Sequence, residues 1–223
     1  MLNGLTTSKE EMLAWVEPFL WQGLAVVTLD WPGTGEAALH ATLTPDCDDL
    51  ANGVFALAEG DPGLDPRRVA VVGISLGGAL ATRIAATDRR IAATVAVTPP
   101  FDAEAWLPLA GPLLRDHLAV HLGGVEHIPS VVAGFALAGL VERVRSPLLV
   151  LGAGHDLIVP PAEAIRLAAA GAGNATLTWY AAGAHGLFNL IPLWTADAAR
   201  WLAAQLTAPS TRVDGMPIQS GRR

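Results

Sequence analysis

The chain has 223 residues, 52% of them hydrophobic and 16% charged, with a mean hydropathy of +0.40. That composition excludes intrinsic disorder, and the length supports one domain with a sizeable core. Fourteen basic against 21 acidic residues leave a net charge of −7, which argues against nucleic acid as a partner. One cysteine, Cys47, excludes an internal disulfide framework and points to the cytoplasm.

The N-terminus lacks the basic start and apolar run of a signal peptide. No apolar stretch reaches the roughly 20 residues that span a bilayer, so no membrane partner is expected. Ser8 with Glu11 three residues on is a capping box, and it opens a predicted helix over Ser8–Gln22. Leu24–Asp30 then reads as a strand, as do Val69–Ile74, Ile91–Thr98, Pro147–Gly152 and Ala175–Tyr180. These runs are apolar on both faces, as strands of a parallel sheet covered by helices must be. Helical patterns lie between and after them, at Asp46–Glu59, Leu76–Thr87, Pro161–Ala170 and Leu193–Leu206. The alternation predicts an α/β fold with right-handed crossovers.

Pro99–Arg145 breaks the rhythm. It carries helical patterns near Leu107–Leu122 and Val131–Val141 but no strand, and an insertion of that length between strands predicts a helical lid. The core is therefore expected in residues 1–98 and 146–207, the lid in 99–145, and a disordered tail in 208–223. Asp102 and Glu104 open the lid, either as carboxylates favoured at a helix start or, for Glu104, as a contact to a polar substrate. Trp31, Phe101 and Trp106 are the aromatic candidates for a pocket wall. His117 and His121 share a helix face and His127 follows, but no carboxylate-bearing zinc motif accompanies them, so no metal and no cofactor are expected.

Gly73-Ile-Ser75-Leu-Gly77, followed by Gly78, sits where a strand must turn sharply into a helix. Such a turn needs small neighbours, exposes the serine hydroxyl, and leaves the Leu76 N–H free to donate to an oxyanion. Asp156 lies in a Gly-rich loop after a later strand, and His185 in a loop after the last one. Nucleophile, acid and base then follow in the order Ser75, Asp156, His185.

The chain resembles the α/β-hydrolase family through Gly73–Gly78, Gly154–Pro160, Gly183–Gly186 and Asp30-Trp-Pro-Gly-Thr-Gly35. More narrowly it is similar to the branch of fermentation–respiration-switch-type esterases, dihydroxypseudooxynicotine hydrolase and polyketide-shortening hydrolases, through Asn3–Glu11, Gly23–Gly35 and Arg145–Val150. The resemblance implies a serine hydrolase that acts on a small-molecule ester or activated ketone, with Leu5 as second oxyanion donor. A carbon–carbon hydrolase of a β-diketone or aryl ketone and a truncated, non-catalytic binding protein stand beside it. The branch commonly has a second Gly and an Asp where this chain has Asn3 and Thr6. It also implies a third strand between Leu24–Asp30 and Val69–Ile74, for which only Met1 and Leu2 remain. A core of about five strands, an irregular edge and a tendency to self-associate are expected. An open gap inside the sheet is the least favoured arrangement, since unpaired buried backbone groups cost about 1–3 kcal/mol each.

Overall fold

The computed structural model describes residues 1–107, 111–171 and 173–207; the expectation for the tail 208–223 lies outside them. Four strands form one parallel sheet in the order β1 (Ala70–Ile74), β2 (Ala93–Val97), β3 (Leu148–Ala153) and β4 (Ala175–Tyr180). β2 and β3 are buried along their whole lengths, because helices cover both faces. Residues of α3 (Asp48–Gly60), α4 (Leu76–Thr87) and α8 (Ala162–Ala170) share one apolar core, with Phe55, Leu80 and Leu167 among its buried members. On the other face Phe19 of α2 (Glu17–Trp21) and Trp194, Ala198 and Leu202 of α9 (Ile191–Thr207) pack on Val72, Val95 and Leu149.

Two expectations about the N-terminal region are corrected. The helix predicted over Ser8–Gln22 is two short ones, α1 (Lys9–Leu13) and α2. Pro18 has no N–H to give residue 14, so a continuous helix would lose a bond there, whereas in the first turn of α2 its missing donor costs nothing. Leu24–Asp30 runs beside the sheet but joins no ladder. Its one bridge is Leu29 to Leu2, and Leu2 in turn bridges Gly73 of β1. Among the described residues the sheet thus has four strands rather than about five. Upstream of Leu2 the arrangement expected to be least favoured is the one adopted, an open groove between Leu24–Val27 and Val69–Val72.

Among the described residues between β2 and β3 there is no strand and the chain is largely helical, although the pattern read at Val131–Val141 gives a helix only as far as Gly134. It forms α5 (Ala103–Trp106), α6 (Pro112–Leu122) and α7 (Ile128–Gly134), with 3-10 turns at Val125–His127 and Val141–Arg143. Pro112 sets the start of α6, and Gly123, at φ +75°, ends it in the left-handed conformation that glycine adopts freely. The base of this excursion is closed by the Leu137 N–H, which donates to the Phe101 carbonyl at 3.0 Å.

Candidate active site

β1 ends at Ile74, and the chain reverses into α4 through Ser75, whose φ of +55° and ψ of −121° are strained for a residue with a side chain. The flanking glycines are steric requirements. A Cβ on Gly73 would lie 1.9 Å from the Gly77 carbonyl oxygen, and one on Gly77 would lie 2.3 Å from that of Asn3. The turn therefore places helix, strand and the Asn3–Thr7 loop in mutual contact, with Ser75 at the C-terminal edge of the sheet.

β3 and β4 deliver the other two residues to the same edge. Gly154 N–H donates to Tyr180 O at 2.9 Å and His155 N–H to Gly183 O at 2.8 Å, which stitches the two loops together. Gly154 permits the approach, because a Cβ there would meet the Ala181 carbonyl oxygen at 2.3 Å. Asp156 is buried, and its Oδ1 accepts from the N–H groups of Ile158 at 2.9 Å and Val159 at 2.8 Å. These bonds fix the orientation of the carboxylate. His185 Nδ1 lies 2.8 Å from Asp156 Oδ2, and its Nε2 lies 2.9 Å from Ser75 Oγ. The three predicted residues are brought together in one relay.

The Asn3–Thr7 turn lies against this relay. A Cβ on Gly4 would contact the Ser75 Cβ at 3.6 Å. Gly4 N–H donates to Thr7 Oγ1 at 2.8 Å, and the buried Asn3 side chain donates to the Thr7 carbonyl and accepts from Thr34 Oγ1 at 3.3 Å. The departure from the family pattern at Asn3 is thus a structural anchor for the loop that carries Leu5. Leu76 is the first residue of α4, so its N–H is one of the helix's orphan donors.

The predicted pocket residues divide. Trp31 has no exposed surface; its indole N–H donates to Asn3 O at 3.0 Å and its ring meets Phe135 edge-on at 5.8 Å. It supports the Asn3 loop and cannot face a ligand in an open pocket, which corrects the expectation. Phe101 is buried beneath the Arg166 guanidinium at 4.8 Å, Trp106 is half-buried, and Glu104 is exposed. His121 Nδ1 contacts the Gly33 carbonyl at 2.7 Å, which ties α6 to the turn after Trp31, while His117 and His127 are exposed. Among the described residues no group of His, Cys, Asp and Glu is arranged to hold a metal.

Three residues with structural claims on the site escaped sequence reasoning. Thr98, at φ +44° just after β2, accepts the Gly186 N–H on its Oγ1 at 3.0 Å and so fixes the histidine loop. Asn189 brackets the same loop, accepting from Ala184 N–H at 2.9 Å and donating to Ala182 O at 2.8 Å. Glu163, buried in the first turn of α8, accepts at Oε2 from the N–H groups of Phe101, Asp102 and the Trp106 indole, at 2.9, 2.7 and 3.2 Å. Its other oxygen bonds Arg166 at 2.7 Å.

Comparison with known proteins identifies the family. A profile of the Alpha/beta hydrolase family matches residues 1–219, and the chain belongs to that family. It is 27% identical over 160 residues to a Paenarthrobacter nicotinovorans protein named 2,6-dihydropseudooxynicotine hydrolase, covering 70% of this chain and 43% of that one. An uncharacterized Mycobacterium tuberculosis protein is 32% identical over 161 residues, covering 67% of this chain and 49% of that one. The chain thus spans less than half the length of these curated relatives. The crystal structure of 2,6-dihydroxy-pseudo-oxynicotine hydrolase superimposes with a TM-score of 0.85 at 25% identity, over 93% of this chain and 60% of that one. The Pyrococcus furiosus esterase Pf2001 gives 0.68 at 22% identity, over 91% and 81%, which bears on the fold alone. The fold is that of the α/β hydrolases.

Proposed function

We propose that this member of the Alpha/beta hydrolase family cleaves an ester, or an activated ketone, through an acyl-enzyme on Ser75. The observation that carries the reading is the unbroken relay from Ser75 Oγ to His185 at 2.9 Å and from His185 to Asp156 at 2.8 Å. His185 takes the Ser75 proton at Nε2 as the oxygen attacks the carbonyl carbon, and later gives it to the leaving alcohol. Asp156, oriented by two backbone N–H bonds, accepts the Nδ1–H hydrogen bond and stabilises the imidazolium without accepting its proton. Leu76 and Leu5 supply the N–H groups for the oxyanion, the first from the start of α4 and the second from the loop against Ser75. Water then repeats the cycle on the acyl-enzyme.

In the same reading, residues 99–145 are the lid, with Phe101 and Trp106 at its root. The protein works in the cytoplasm, in keeping with its single cysteine. Among the described residues no helix is long and apolar enough to cross a membrane. The likeness to a protein named 2,6-dihydropseudooxynicotine hydrolase favours a second reading, cleavage of an aryl ketone or β-diketone by the same three residues.

A fluorophosphonate probe tests the mechanism. The chain should label and Ser75→Ala should not, while keeping its unfolding midpoint. Equal labelling of both, or a folded wild-type chain that stays unlabelled, refutes the nucleophile. Activity on a panel of p-nitrophenyl esters and aryl β-diketones then separates the two substrate classes.

A further inference from the structure

The turn at residues 30–36 touches both ends of the loop that carries Leu5, and it also touches two parts of the helical excursion between β2 and β3. At the start of the loop, the Trp31 indole N–H donates to the Asn3 carbonyl at 3.0 Å, and the Thr34 hydroxyl lies 3.3 Å from Asn3 Oδ1. Just past its end, the Lys9 N–H donates to Asp30 Oδ1 at 2.8 Å and the Lys9 ammonium to Oδ2 at 2.9 Å. The turn is itself closed. Thr34 N–H donates to Trp31 O at 2.9 Å, Trp31 N–H to Thr34 Oγ1 at 3.1 Å, and Glu36 N–H to Asp30 Oδ2 at 3.0 Å.

The excursion holds the same turn. His121, on α6, has its Nδ1 at 2.7 Å from the Gly33 carbonyl, and since a carbonyl only accepts, that nitrogen carries the proton. Phe135, directly after α7, meets the Trp31 ring edge-on at 5.8 Å. The loop at residues 3–7 is compact: Gly4 N–H bonds Thr7 Oγ1, and the Asn3 side chain donates to the Thr7 carbonyl. It therefore shifts as one body, and its place beside Ser75 depends on what holds Asn3. The Asn3 carbonyl lies against Gly77 of α4 and takes its hydrogen bond from Trp31, which has no exposed surface.

We propose that Trp31 is a positioning residue for the oxyanion hole, the link through which His121 and Phe135 set the Leu5 N–H against the carbonyl oxygen of the substrate. The proposal rests on the acyl-enzyme reading above, in which Leu76 and Leu5 stabilise the tetrahedral oxyanion. The two donors are held differently. Leu76 N–H belongs to the first turn of α4, a twelve-residue helix wedged against the sheet, whereas Leu5 N–H rides on a loop placed by its contacts. An oxyanion donor works only within about 2.7–3.1 Å of the developing charge, and losing one costs about 10²–10³ in rate. Trp31 joins the two sides of this arrangement, its N–H edge serving Asn3 and its ring meeting Phe135. Releasing the excursion from the turn therefore loosens Asn3 without touching Ser75, Asp156 or His185. Since neither Trp31 nor His121 contacts the substrate in this scheme, their effect falls on the transition state rather than on substrate binding.

Fluorophosphonate labelling run to completion counts active sites, and hydrolysis of p-nitrophenyl acetate is expressed per site, so a merely destabilised fraction drops out. Phenyl trifluoromethyl ketone gives the second readout. Ser75 Oγ adds to its carbonyl carbon, the Ser75 proton passes to His185, and the carbonyl π electrons become an oxyanion in the same hole. Trp31→Phe keeps a ring beside Phe135 and removes the indole donor. Its kcat/KM per site and its affinity for the ketone should fall together, by about ten-fold or more. His121→Ala should lower both by about three-fold, and His117→Ala, exposed on the same helix, should lower neither. Combining Trp31→Phe with His121→Ala should lose no more than Trp31→Phe alone, because the second contact acts through the first. Parental ketone affinity in Trp31→Phe, additive losses in the double variant, or an equal loss from His117→Ala overturns the proposal. If Trp31→Phe does not fold, His121→Ala decides, and parental ketone affinity there overturns it. A parental chain that labels upholds the acyl-enzyme reading whatever the variants do, and one that does not label refutes that reading and this proposal with it.

Discussion

Replacing Glu163 by alanine tests how the helical excursion is fastened to the sheet. One carboxylate oxygen accepts from the Phe101 and Asp102 backbone N–H groups and the Trp106 indole, all at the root of the excursion. The side chain is 4% exposed, so water does not replace it without a change of packing. Each buried donor left without an acceptor costs about 1–3 kcal/mol. Arg166, the fourth partner, is 43% exposed and its ion pair adds little. With Asp102 and Trp106 only partly buried and able to regain some water, the net loss is about 3–5 kcal/mol. At 2–4 °C per kcal/mol for a chain of this size, the unfolding midpoint falls by roughly 6–20 °C. Thermal and urea unfolding measure it, and ester hydrolysis adds a second readout. Because Glu163 does not reach Ser75, KM should rise more than kcat falls. Glu163→Gln, which keeps one acceptor oxygen, should recover part of both. A loss below about 1 kcal/mol in Glu163→Ala would refute the fastening role.

Other substitutions probe the turns. Gly73→Ala drives a methyl to 1.9 Å from the Gly77 oxygen between two buried elements, and should cost about 3 kcal/mol or more, read as a fall in midpoint or loss of soluble protein. Thr98→Val keeps the shape but strands the Gly186 N–H, costing about 1–3 kcal/mol and lowering kcat through His185, while Thr98→Ser should restore both. The Met1 amine titrates near 8.0 when unfolded and about 5 when folded. The unfolded state then binds more protons between those values, so stability of the 223-residue chain should rise from pH 5 to pH 8 by up to about 4 kcal/mol. N-terminal acetylation should flatten that rise, and an unchanged slope after acetylation would exclude the amine as its source.

What could be read along the chain follows from how far each interaction reaches. Ser75, Asp156 and His185 announce themselves because each sits in a short glycine-bearing turn whose reason is local: Gly73 and Gly77 clear the elbow, and Gly154 and Gly183 clear the two loops. Thr98 and Glu163 gave no such signal. Apart from Arg166, their partners lie 88 and 57–62 positions away, and a threonine after a strand or a glutamate in the first turn of a helix has an ordinary local explanation. Trp31 misled for the converse reason, since an aromatic beside a catalytic edge looks the same whether its face meets a ligand or its N–H holds Asn3. The strand read at Leu24–Asp30 shows what apolar continuity leaves out. Branched and apolar residues dictate that a segment lie extended between two greasy layers, and Leu24–Asp30 does so. A strand, though, is a pairing, and its other half must be supplied by backbone. Leu2 supplies it at Leu29 and nowhere upstream, so the same composition that makes β2 and β3 fully buried strands leaves this one half-covered beside a groove.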